Sequence, residues 1–396
     1  MPFSRLTVLD VATLNAAPQV AAFFGDFGAR VIKVEHPRGD SLRRLVDARG
    51  TALQWQLTNR NKECVTLDWT RPEGRDLLDR LLARADLLVV AMPRSRLVRS
   101  ELTPEALAAK HPRLVSVNLT AYGTTGPWAE RPGSGTLAEA LSGLAALTGP
   151  ADAPPTLSPV GLGDYLGVLQ AIIAALMGLY ARDAMGTDGA RGESFDVAMY
   201  EPLLGLLSQR LAATARDGVE PPRTGNRFPT MAPRNAYPTA DGEWVAITAG
   251  TDELVRRLFA AMGRPELSDD ARFRDNAARV ANVDALDAII GDWIAARAAD
   301  ETVATLNAAG VSTAAIDRLG RVLENEHLRE RGNLVQLPDG SGGAIVTAAP
   351  SPIRERDPGR VRWLGRARGA DNRAVYRDWL GLSEEELASL AAAGIV

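Results

Sequence analysis

Short apolar runs alternate with helix signals through the first 120 residues of the chain. Five strand candidates recur at similar intervals: residues 6–12, 30–35, 64–68, 86–91 and 113–119. The segments between them carry prolines or N-cap residues that predict helices over 18–27, 72–85 and 104–111. This alternation is typical of parallel strands joined by right-handed crossovers. The pattern therefore predicts an α/β fold built on a doubly wound, Rossmann-like sheet.

A dense apolar segment, Tyr165–Tyr180, occupies the middle of the chain and predicts a buried helix. It directly follows Gly161-Leu162-Gly163-Asp164, so a carboxylate stands at its first turn behind two glycines. One interpretation makes Asp164 an N-cap that accepts a backbone N–H. The other makes it a nucleophile whose backbone the glycines keep accessible. The run is about 16 residues long, shorter than the roughly 20 that a membrane span needs, so we expect no membrane partner.

The second half of the chain changes character at a proline-rich segment, residues 218–236, which predicts a linker. Before it we expect a helix at 136–147, a glycine-rich break at 186–192, a strand at 194–198 and a helix at 200–217. After it we expect strands at 244–248 and 311–316, helices at 251–262, 284–298, 301–309, 371–380 and 383–393, and a hairpin at 334–346. A chain of 396 residues exceeds one core. We predict a large Rossmann-like domain from 1–217 and 331–396, and a smaller α/β domain at 225–330.

Composition narrows the classes of function. A net charge of −4 argues against a nucleic-acid partner. The 45 basic residues include only three lysines, so any phosphate site must consist mainly of guanidinium groups. Cys64 is the only cysteine, which excludes an intrachain disulfide and indicates a cytoplasmic protein. The three histidines are far apart in sequence, and we expect neither a metal site nor a permanently bound cofactor.

Common nucleotide and hydrolase motifs are missing. The turn after the first strand, residues 12–18, has no GxGxxG, and the chain has neither a Walker loop nor a GxSxG elbow. Basic residues do gather at and beyond predicted strand ends: Lys33, Arg38, Arg94, Arg96 and Arg99. Ligands of open α/β sheets bind outside the carboxyl ends of strands, which favours an anionic ligand there. A solvated charged rim is the alternative.

Several segments in register resemble family III CoA-transferases of the CaiB/BaiF type. They are Val8–Asp10, Phe24–Glu35, Asn59–Lys62, Leu67-Asp68, Pro72–Gly74, Gly123–Pro127, Gly163-Asp164 and Asn226–Gly242. The family includes formyl-CoA transferase and carnitine CoA-transferase, and the α-methylacyl-CoA racemases share its fold. The resemblance covers essentially the whole chain and is specific to the superfamily, not to a substrate. It implies a homodimer of interlocked chains.

The resemblance also implies roles for single residues. Asp164 matches the carboxylate that attacks an acyl-CoA to form an acyl–aspartyl anhydride, with CoA leaving as its thiolate. The thiolate then attacks the anhydride to give an aspartyl-CoA thioester, and a small carboxylic acid repeats the exchange in reverse to take up the CoA. The implied CoA contacts are Asn15 and Ala16 after the first strand, Arg38 and Arg99 near the phosphates, Leu67 at the adenine, and Met92. Ala91-Met92 replaces the family's Asn-Phe pair, and Thr70 stands where some members have lysine.

Two alternatives stay open. A racemase on this fold needs a second base, but Gly133-Ser134-Gly135 stands where racemases have Gly-His-Asp, which favours transfer. A non-catalytic acyl-CoA-binding protein is the other alternative. The glycine-rich loop of formyl-CoA transferase is not evident around Thr248–Gly250, so specificity for formate or oxalate is not expected. We expect Tyr122, Trp128 and Tyr165 to be the aromatic residues nearest the site.

Overall fold

The computed structural model describes residues 1–185, 189–339 and 343–396. Its chain divides into two compact units: residues 1–144, 157–216 and 332–396 form the first, and residues 145–156 and 217–331 form the second. The sequence had placed 145–156 in the large domain. Part of the predicted glycine-rich break (186–188) and the centre of the predicted hairpin (340–342) lie outside the described residues.

The described strands fall into three sheets. In chain order they are β1 (Thr7–Asp10), β2 (Arg30–Glu35), β3 (Lys62–Thr66), β4 (Leu87–Val90), β5 (Val115–Thr120), β6 (Ser194–Ala198), β7 (Arg234–Pro238), β8 (Trp244–Thr248), β9 (Thr313–Ala315), β10 (Leu334–Pro338) and β11 (Ala344–Ala348). Strand β7 begins inside the segment that was predicted to be a linker. The hairpin prediction is confirmed by the antiparallel pair β10–β11.

Helices connect the strands. The α-helices of the first half are α1 (Ala16–Asp26), α2 (Leu53–Thr58), α3 (Pro72–Leu82), α4 (Arg94–Arg99), α5 (Pro104–Lys110), α6 (Gly135–Ser142), α7 (Leu144–Leu147) and α8 (Leu162–Ala184). Those of the second half are α9 (Glu201–Leu206), α10 (Ser208–Asp217), α11 (Asp252–Ala261), α12 (Asn276–Ala281), α13 (Val283–Ala295), α14 (Ala299–Ala308), α15 (Leu319–Glu324), α16 (Glu326–Glu330) and α17 (Glu384–Ala392). Short 3₁₀ turns cover Ser41–Arg44 and Pro265–Asp269, and Arg373–Trp379 is a π-helix.

The first unit is built on a six-stranded sheet in the order β3-β2-β1-β4-β5-β6. Every pairing in it is parallel. Successive residues of a strand point to opposite faces, so Val8 joins the core shared with α1 and α8, whereas Leu9 joins the core shared with α3. The order and the two covered faces confirm the predicted α/β fold with a parallel, Rossmann-like sheet.

The second unit contains the antiparallel sheet β7-β8-β9. Its core is formed by apolar side chains of β7 and β8 together with those of α11, α13 and α14, among them Val245, Leu258 and Ile290. The carboxylate of Asp287 is nearly buried there and accepts hydrogen bonds from Tyr237, Asn235 and Arg227. These three donors satisfy a charge that would otherwise be costly to bury.

Helix α8, which contains the apolar segment, is longer and more exposed than the sequence predicts. It spans 23 residues, Leu162–Ala184, and is long and apolar enough to cross a membrane by those two criteria. Half of its most apolar window is buried, against β5, β6 and α1 among others. The other face is exposed, with Tyr180 at 78% exposure, so the prediction of a wholly buried helix was wrong.

Helix α6 ends earlier than predicted. The expected helix over 136–147 breaks at Gly143, whose φ of 88° only glycine adopts readily. The chain then resumes as the single turn α7. The expected helix over 200–217 is likewise divided, into α9 and α10.

Candidate active site

A cavity of about 500 Å³ opens at the carboxyl ends of four strands of the parallel sheet. Its walls come from the segments that follow β1, β4, β5 and β6, closed by residues 129–134 and by Asp164. The neighbours β1 and β4 lie where the strand order reverses, which is the usual binding position in open α/β sheets. Every lining residue belongs to the first unit.

Asp164 lies in the first turn of α8 and contributes its carboxylate to this cavity. The helix begins at Leu162 with Gly161 as its N-cap, and no side chain caps it. The N-cap interpretation of Asp164 is therefore wrong. Its Oδ1 atom instead accepts the backbone N–H of Gly135, the first residue of α6, at 3.2 Å.

Glycines around Asp164 leave no room for any other residue. A Cβ atom at Gly135 would lie 2.6 Å from the carboxyl carbon of Asp164, and one at Gly161 would lie 2.4 Å from its Oδ2. A Cβ at Gly163 would lie 2.4 Å from the carbonyl oxygen of Gly135. Two glycines therefore bring backbone close to the carboxylate, and the third lets the start of α8 pack against Gly135, as the sequence interpretation of an accessible nucleophile requires.

The environment of Asp164 raises the pKa of its carboxyl group. Partial burial is the main cause, because it disfavours the charged form. The N–H of Gly135 acts in the opposite direction, and the nearby carboxylate of Glu139 raises the pKa further. A carboxylate with a raised pKa is more basic and a better nucleophile once ionised.

Two buried lysines hold the loop between β1 and α1, which lines the cavity. The Nζ atom of Lys33 donates to the carbonyl of Ala12 at the start of the loop. That of Lys62 donates to the carbonyl of Pro18 just beyond it, at 2.7 Å. Asp10 lies between the two ammonium groups, 2.7 Å from Lys62 and 3.7 Å from Lys33. Lys33 is thus a buried structural residue and not part of an exposed basic rim.

The part of the wall formed by the residues after β5 carries aromatic and charged groups. Tyr122 lines the cavity, and its ring makes an edge contact with Trp128 at 5.3 Å between centroids. The guanidinium of Arg131 lies over the Trp128 ring at 4.2 Å. Among the lining residues that the structure describes, Arg131 is the only basic one. Tyr165 was expected near the site, but it is not a lining residue.

A basin rich in arginine lies at the carboxyl end of β3 and beside α4. It has a volume of about 670 Å³, and four of its lining residues are Arg71, Arg75, Arg96 and Arg99. Arg71 and Arg75 donate to the carbonyl groups of Ala393 and Ser100. No ion pair with a carboxylate is formed by Arg96 or Arg99 in the described part of the chain.

A small cavity of about 90 Å³, which we call the passage, shares lining residues with both the basin and the cavity that holds Asp164. Thr13 lines both the cavity and the passage, whereas Trp69, Thr70 and Arg96 line both the passage and the basin. One extended ligand could therefore place an anionic end among the arginines and a reactive end beside the carboxylate.

The structure divides the expected CoA contacts into three groups. Asn15 and Ala16 line the cavity, and Arg99 lines the basin. Arg38 lies on an exposed turn after β2 and lines none of the three spaces. Leu67 and Met92 are buried in the core, so neither side chain is available to a ligand. The backbone groups of Met92 are also occupied, since both bond to Asn118.

The sequence did not identify three residues of the site: Glu139, Arg71 and Arg75. Glu139 is a lone charge on the stripe 135, 138, 139 and 142 that α6 buries, but hydrophobicity does not identify that stripe as the buried one. Arg71 is the N-cap of α3 and Arg75 lies in its first turn. They are distant from α4 in sequence, and the fold brings them beside it. Within the described residues, no group of three or more His, Cys, Asp or Glu side chains is arranged to hold a metal ion.

Comparison with known proteins defines the class. The family model described as CoA-transferase family III matches residues 3–372, and the chain belongs to this family. It is 35% identical to a succinyl-CoA–D-citramalate CoA-transferase of Chloroflexus aurantiacus, over 100% of this chain and 98% of that one. An acetyl-CoA:oxalate CoA-transferase of Acetobacter aceti is 31% identical, over 90% of both chains. The resemblance carried by the sequence motifs is thereby confirmed.

Solved structures agree with this assignment. The fold matches a CaiB/BaiF family protein from Brucella suis with a TM-score of 0.81 and 30% identity, covering 96% of this chain and 99% of that one. It also matches Rv3272 of Mycobacterium tuberculosis with a TM-score of 0.83 and 26% identity, covering 94% and 98%.

Proposed function

We propose that the protein transfers coenzyme A from an acyl-CoA thioester to a carboxylic acid, with Asp164 as the nucleophile. The Asp164 carboxylate attacks the thioester carbonyl and forms a mixed anhydride while CoA leaves as its thiolate. The thiolate attacks the aspartyl carbonyl, which releases the donor acid and leaves an aspartyl-CoA thioester. The acceptor carboxylate and the thiolate repeat the two steps in reverse order, forming the new acyl-CoA and restoring Asp164.

The position of Asp164 carries this proposal. Its carboxylate faces a cavity and is surrounded by glycine backbone, and it is not used to cap its own helix. The Gly135 N–H that now contacts Oδ1 belongs to the first turn of α6, where the helix dipole favours negative charge. The same donor is suited to stabilise an oxyanion as the aspartyl carbonyl is attacked.

We assign the basin to the phosphates of CoA. CoA carries its anionic groups at the nucleotide end and its thiol at the other end. In this proposal CoA extends from the basin along the passage, which places its two ends as the reaction requires. Arg96 and Arg99 provide guanidinium groups that form no ion pair with a carboxylate in the described part of the chain. CoA is thus a substrate here and not a resident cofactor.

The acid substrate in this proposal is a small dicarboxylic acid. The two CoA-transferases named above have D-citramalate and oxalate in their names, and both acids carry two carboxyl groups. A third relative, a succinyl-CoA–L-malate CoA-transferase subunit of Chloroflexus aurantiacus, is 33% identical, and malate also has two carboxyl groups. One carboxylate must react at Asp164, so the second needs a cationic partner in the same cavity. Arg131 is suited to that position, because stacking on Trp128 orients its guanidinium plane.

Racemisation receives no support from the cavity. Exchange of an α-proton on two faces needs two bases, and the racemases of this fold use a histidine as one of them. The described residues that line the cavity include no histidine. Ser134 lies in the cavity wall at the position where the resemblance would place that histidine.

The homodimer belongs to the same proposal. Five exposed apolar residues follow one face of α8, and we call them the α8 face: Tyr165, Leu169, Ile173, Met177 and Tyr180. The face extends for about 22 Å along the helix. Leu137 and Leu141 of the adjacent α6 are also exposed. Continuous apolar surface of this length indicates a protein interface, and we propose a second copy of the chain as its partner.

The test is to trap the aspartyl intermediate. Succinyl-CoA and hydroxylamine are incubated with the protein, and the hydroxamate at Asp164 is detected by mass spectrometry. Asp164→Ala should abolish both the adduct and CoA transfer but keep CoA binding by calorimetry. The control is Asp183→Ala, at the exposed last turn of the same helix, which should behave like the wild type. Full turnover by Asp164→Ala would refute the proposal, and CoA binding without any adduct in the wild type would favour a non-catalytic binding protein.

A further inference from the structure

A second carboxylate, that of Glu139, is buried beside the nucleophile. Its residue is only 2% exposed and lies on the buried face of α6. Its carboxyl oxygens accept hydrogen bonds from the Ser158 hydroxyl and from the backbone N–H groups of Ser158 and Gly163. In the described part of the chain no cation forms an ion pair with it.

The hydrogen bonds of Glu139 hold the segment that leads into α8. Its Oε1 accepts the backbone N–H of Gly163, the residue before Asp164, at 3.2 Å. Its Oε2 accepts the hydroxyl of Ser158 at 2.6 Å and the N–H of the same residue at 3.4 Å. Both ends of the segment from Ser158 to Gly163 are therefore attached to one side chain.

Helix α6 thus contacts the nucleophile in two ways. Gly135 at its first position donates to the Asp164 carboxylate itself, and Glu139, one turn later, fixes the backbone behind it. Because misplacement of a reacting group by about 1 Å can cost roughly a hundredfold in rate, such an attachment has kinetic consequences.

Hydrogen bonding alone does not account for the charge. A glutamine would accept from Gly163 equally well without placing a second negative charge next to Asp164. A like charge nearby disfavours the ionised form of a carboxylate. Once Asp164 is acylated it is uncharged, and the repulsion is relieved, so the charge of Glu139 acts on the free nucleophile and not on the acyl-enzyme.

We propose that Glu139 is a positioning residue that both holds Asp164 in its attacking orientation and, by its negative charge, promotes acylation of Asp164. This inference rests on the proposed function, because it requires Asp164 to be the nucleophile. The raised pKa of Asp164, to which Glu139 contributes after burial, agrees with it.

Other charged groups near α8 are engaged elsewhere. On the elements packed against the helix, Asp26 of α1 pairs with Arg60, Asp196 of β6 accepts from Thr124, and Glu201 of α9 accepts from the N–H of Ala198. Glu130 and Arg131 line the cavity, with Glu130 bonded to Ser95 and Arg131 stacked on Trp128. Among the described charged groups, Glu139 contributes to the raised pKa of Asp164, after burial.

The experiment measures the rate of hydroxylamine-trapped acylation by succinyl-CoA as a function of pH in three variants. Glu139→Gln keeps one acceptor and loses the charge, so the acidic limb should move to lower pH and the plateau rate should fall about tenfold. Glu139→Ala also loses the attachment and should lower the plateau rate by roughly a hundredfold. Ser158→Ala removes one hydrogen bond but keeps the charge, and its acidic limb should coincide with that of the wild type.

The outcomes separate this inference from the proposed function. An adduct in the wild type with an unshifted acidic limb in Glu139→Gln would overturn the role of Glu139 and leave Asp164 as the nucleophile. A lower plateau without movement of the limb would do the same, since any structural residue would have that effect. If no adduct forms at Asp164 in the wild type, the proposed function fails first. Thermal unfolding of each variant verifies that it is folded.

Discussion

The backbone N–H of Gly135 donates a hydrogen bond of 3.2 Å to Oδ1 of Asp164, which joins the start of α6 to the first turn of α8. The approach is possible only because Gly135 has no side chain. A Cβ atom there would lie 2.2 Å from the backbone nitrogen of Asp164, far inside van der Waals contact. The geometry of the nucleophile therefore depends on a residue 29 positions earlier in the chain.

Gly135→Ala should displace Asp164 and lower kcat by roughly a hundredfold or more. Its affinity for CoA should change little, because the basin is lined by other residues. The control is Gly320→Ala, since a Cβ at that position meets no atom within 4 Å. Steady-state kinetics and calorimetry with CoA distinguish the two effects. A Gly135→Ala enzyme with wild-type kcat would show that the close approach has no catalytic role.

Asp164→Asn should stabilise the protein at neutral pH while it inactivates the enzyme. Because the folded-state pKa of Asp164 is raised, the folded chain binds this proton more tightly than the unfolded chain. The ionised group therefore reduces stability above that pKa, and the cost disappears as the pH falls below the ordinary value of 3.8. The gain in Tm should be present at pH 7 and vanish in acid. A variant that is less stable at pH 7 would contradict this origin.

The central strands of the parallel sheet could be predicted because they are buried on both faces and are rich in apolar residues, as β4 is throughout. The structure confirms β2 and β6 at the residues predicted for them. Helix boundaries were harder, because Gly143 divides one predicted helix and a single turn at Leu207 divides another. Propensity alone does not fix where such breaks fall.

Burial on α6 and α8 could not be predicted from hydrophobicity. On α6 the structure buries Glu139 and Ser142 and exposes Leu137 and Leu141, the reverse of an amphipathic surface helix. The pattern is consistent only if a further surface covers the leucines, which a single chain does not reveal. Asp164 could be found from its neighbouring glycines and the family motif. Glu139 could not, because its burial on α6 does not follow from hydrophobicity.

Arg96→Ala and Arg99→Ala should each raise the KM for succinyl-CoA by about 10- to 100-fold, with a smaller change in kcat. The loss of one charge-assisted hydrogen bond to a phosphate costs roughly 1.5–3 kcal/mol. Arg94→Ala is the matched control, because Arg94 lies on the same helix and is exposed but does not line the basin. Equal KM values for all three variants and the wild type would place the phosphates elsewhere.

Lys62→Met should lower the free energy of unfolding by roughly 3–5 kcal/mol, since it leaves the buried carboxylate of Asp10 without its closest partner. The measurement belongs at pH 7, where Lys62 is charged, because burial lowers its pKa only to about 8. Lys110→Met removes an exposed lysine that pairs with Asp79 and Glu101 and should cost about 1 kcal/mol or less. Similar urea midpoints for the two variants would show that the buried cluster does not stabilise the fold.

Ile173→Glu should dissociate the proposed homodimer. Ile173 is the middle residue of the α8 face and is 50% exposed, so a glutamate is tolerated in the separate chain but would place a desolvated charge in the middle of an interface. The control is Leu323→Glu, at 48% exposure on α15, a site of nearly equal exposure that is not part of the face. Light scattering coupled to gel filtration should give a dimer for the wild type and the control, and a monomer for Ile173→Glu. A wild-type monomer would remove the interface, and a dimeric Ile173→Glu protein would place it on another surface.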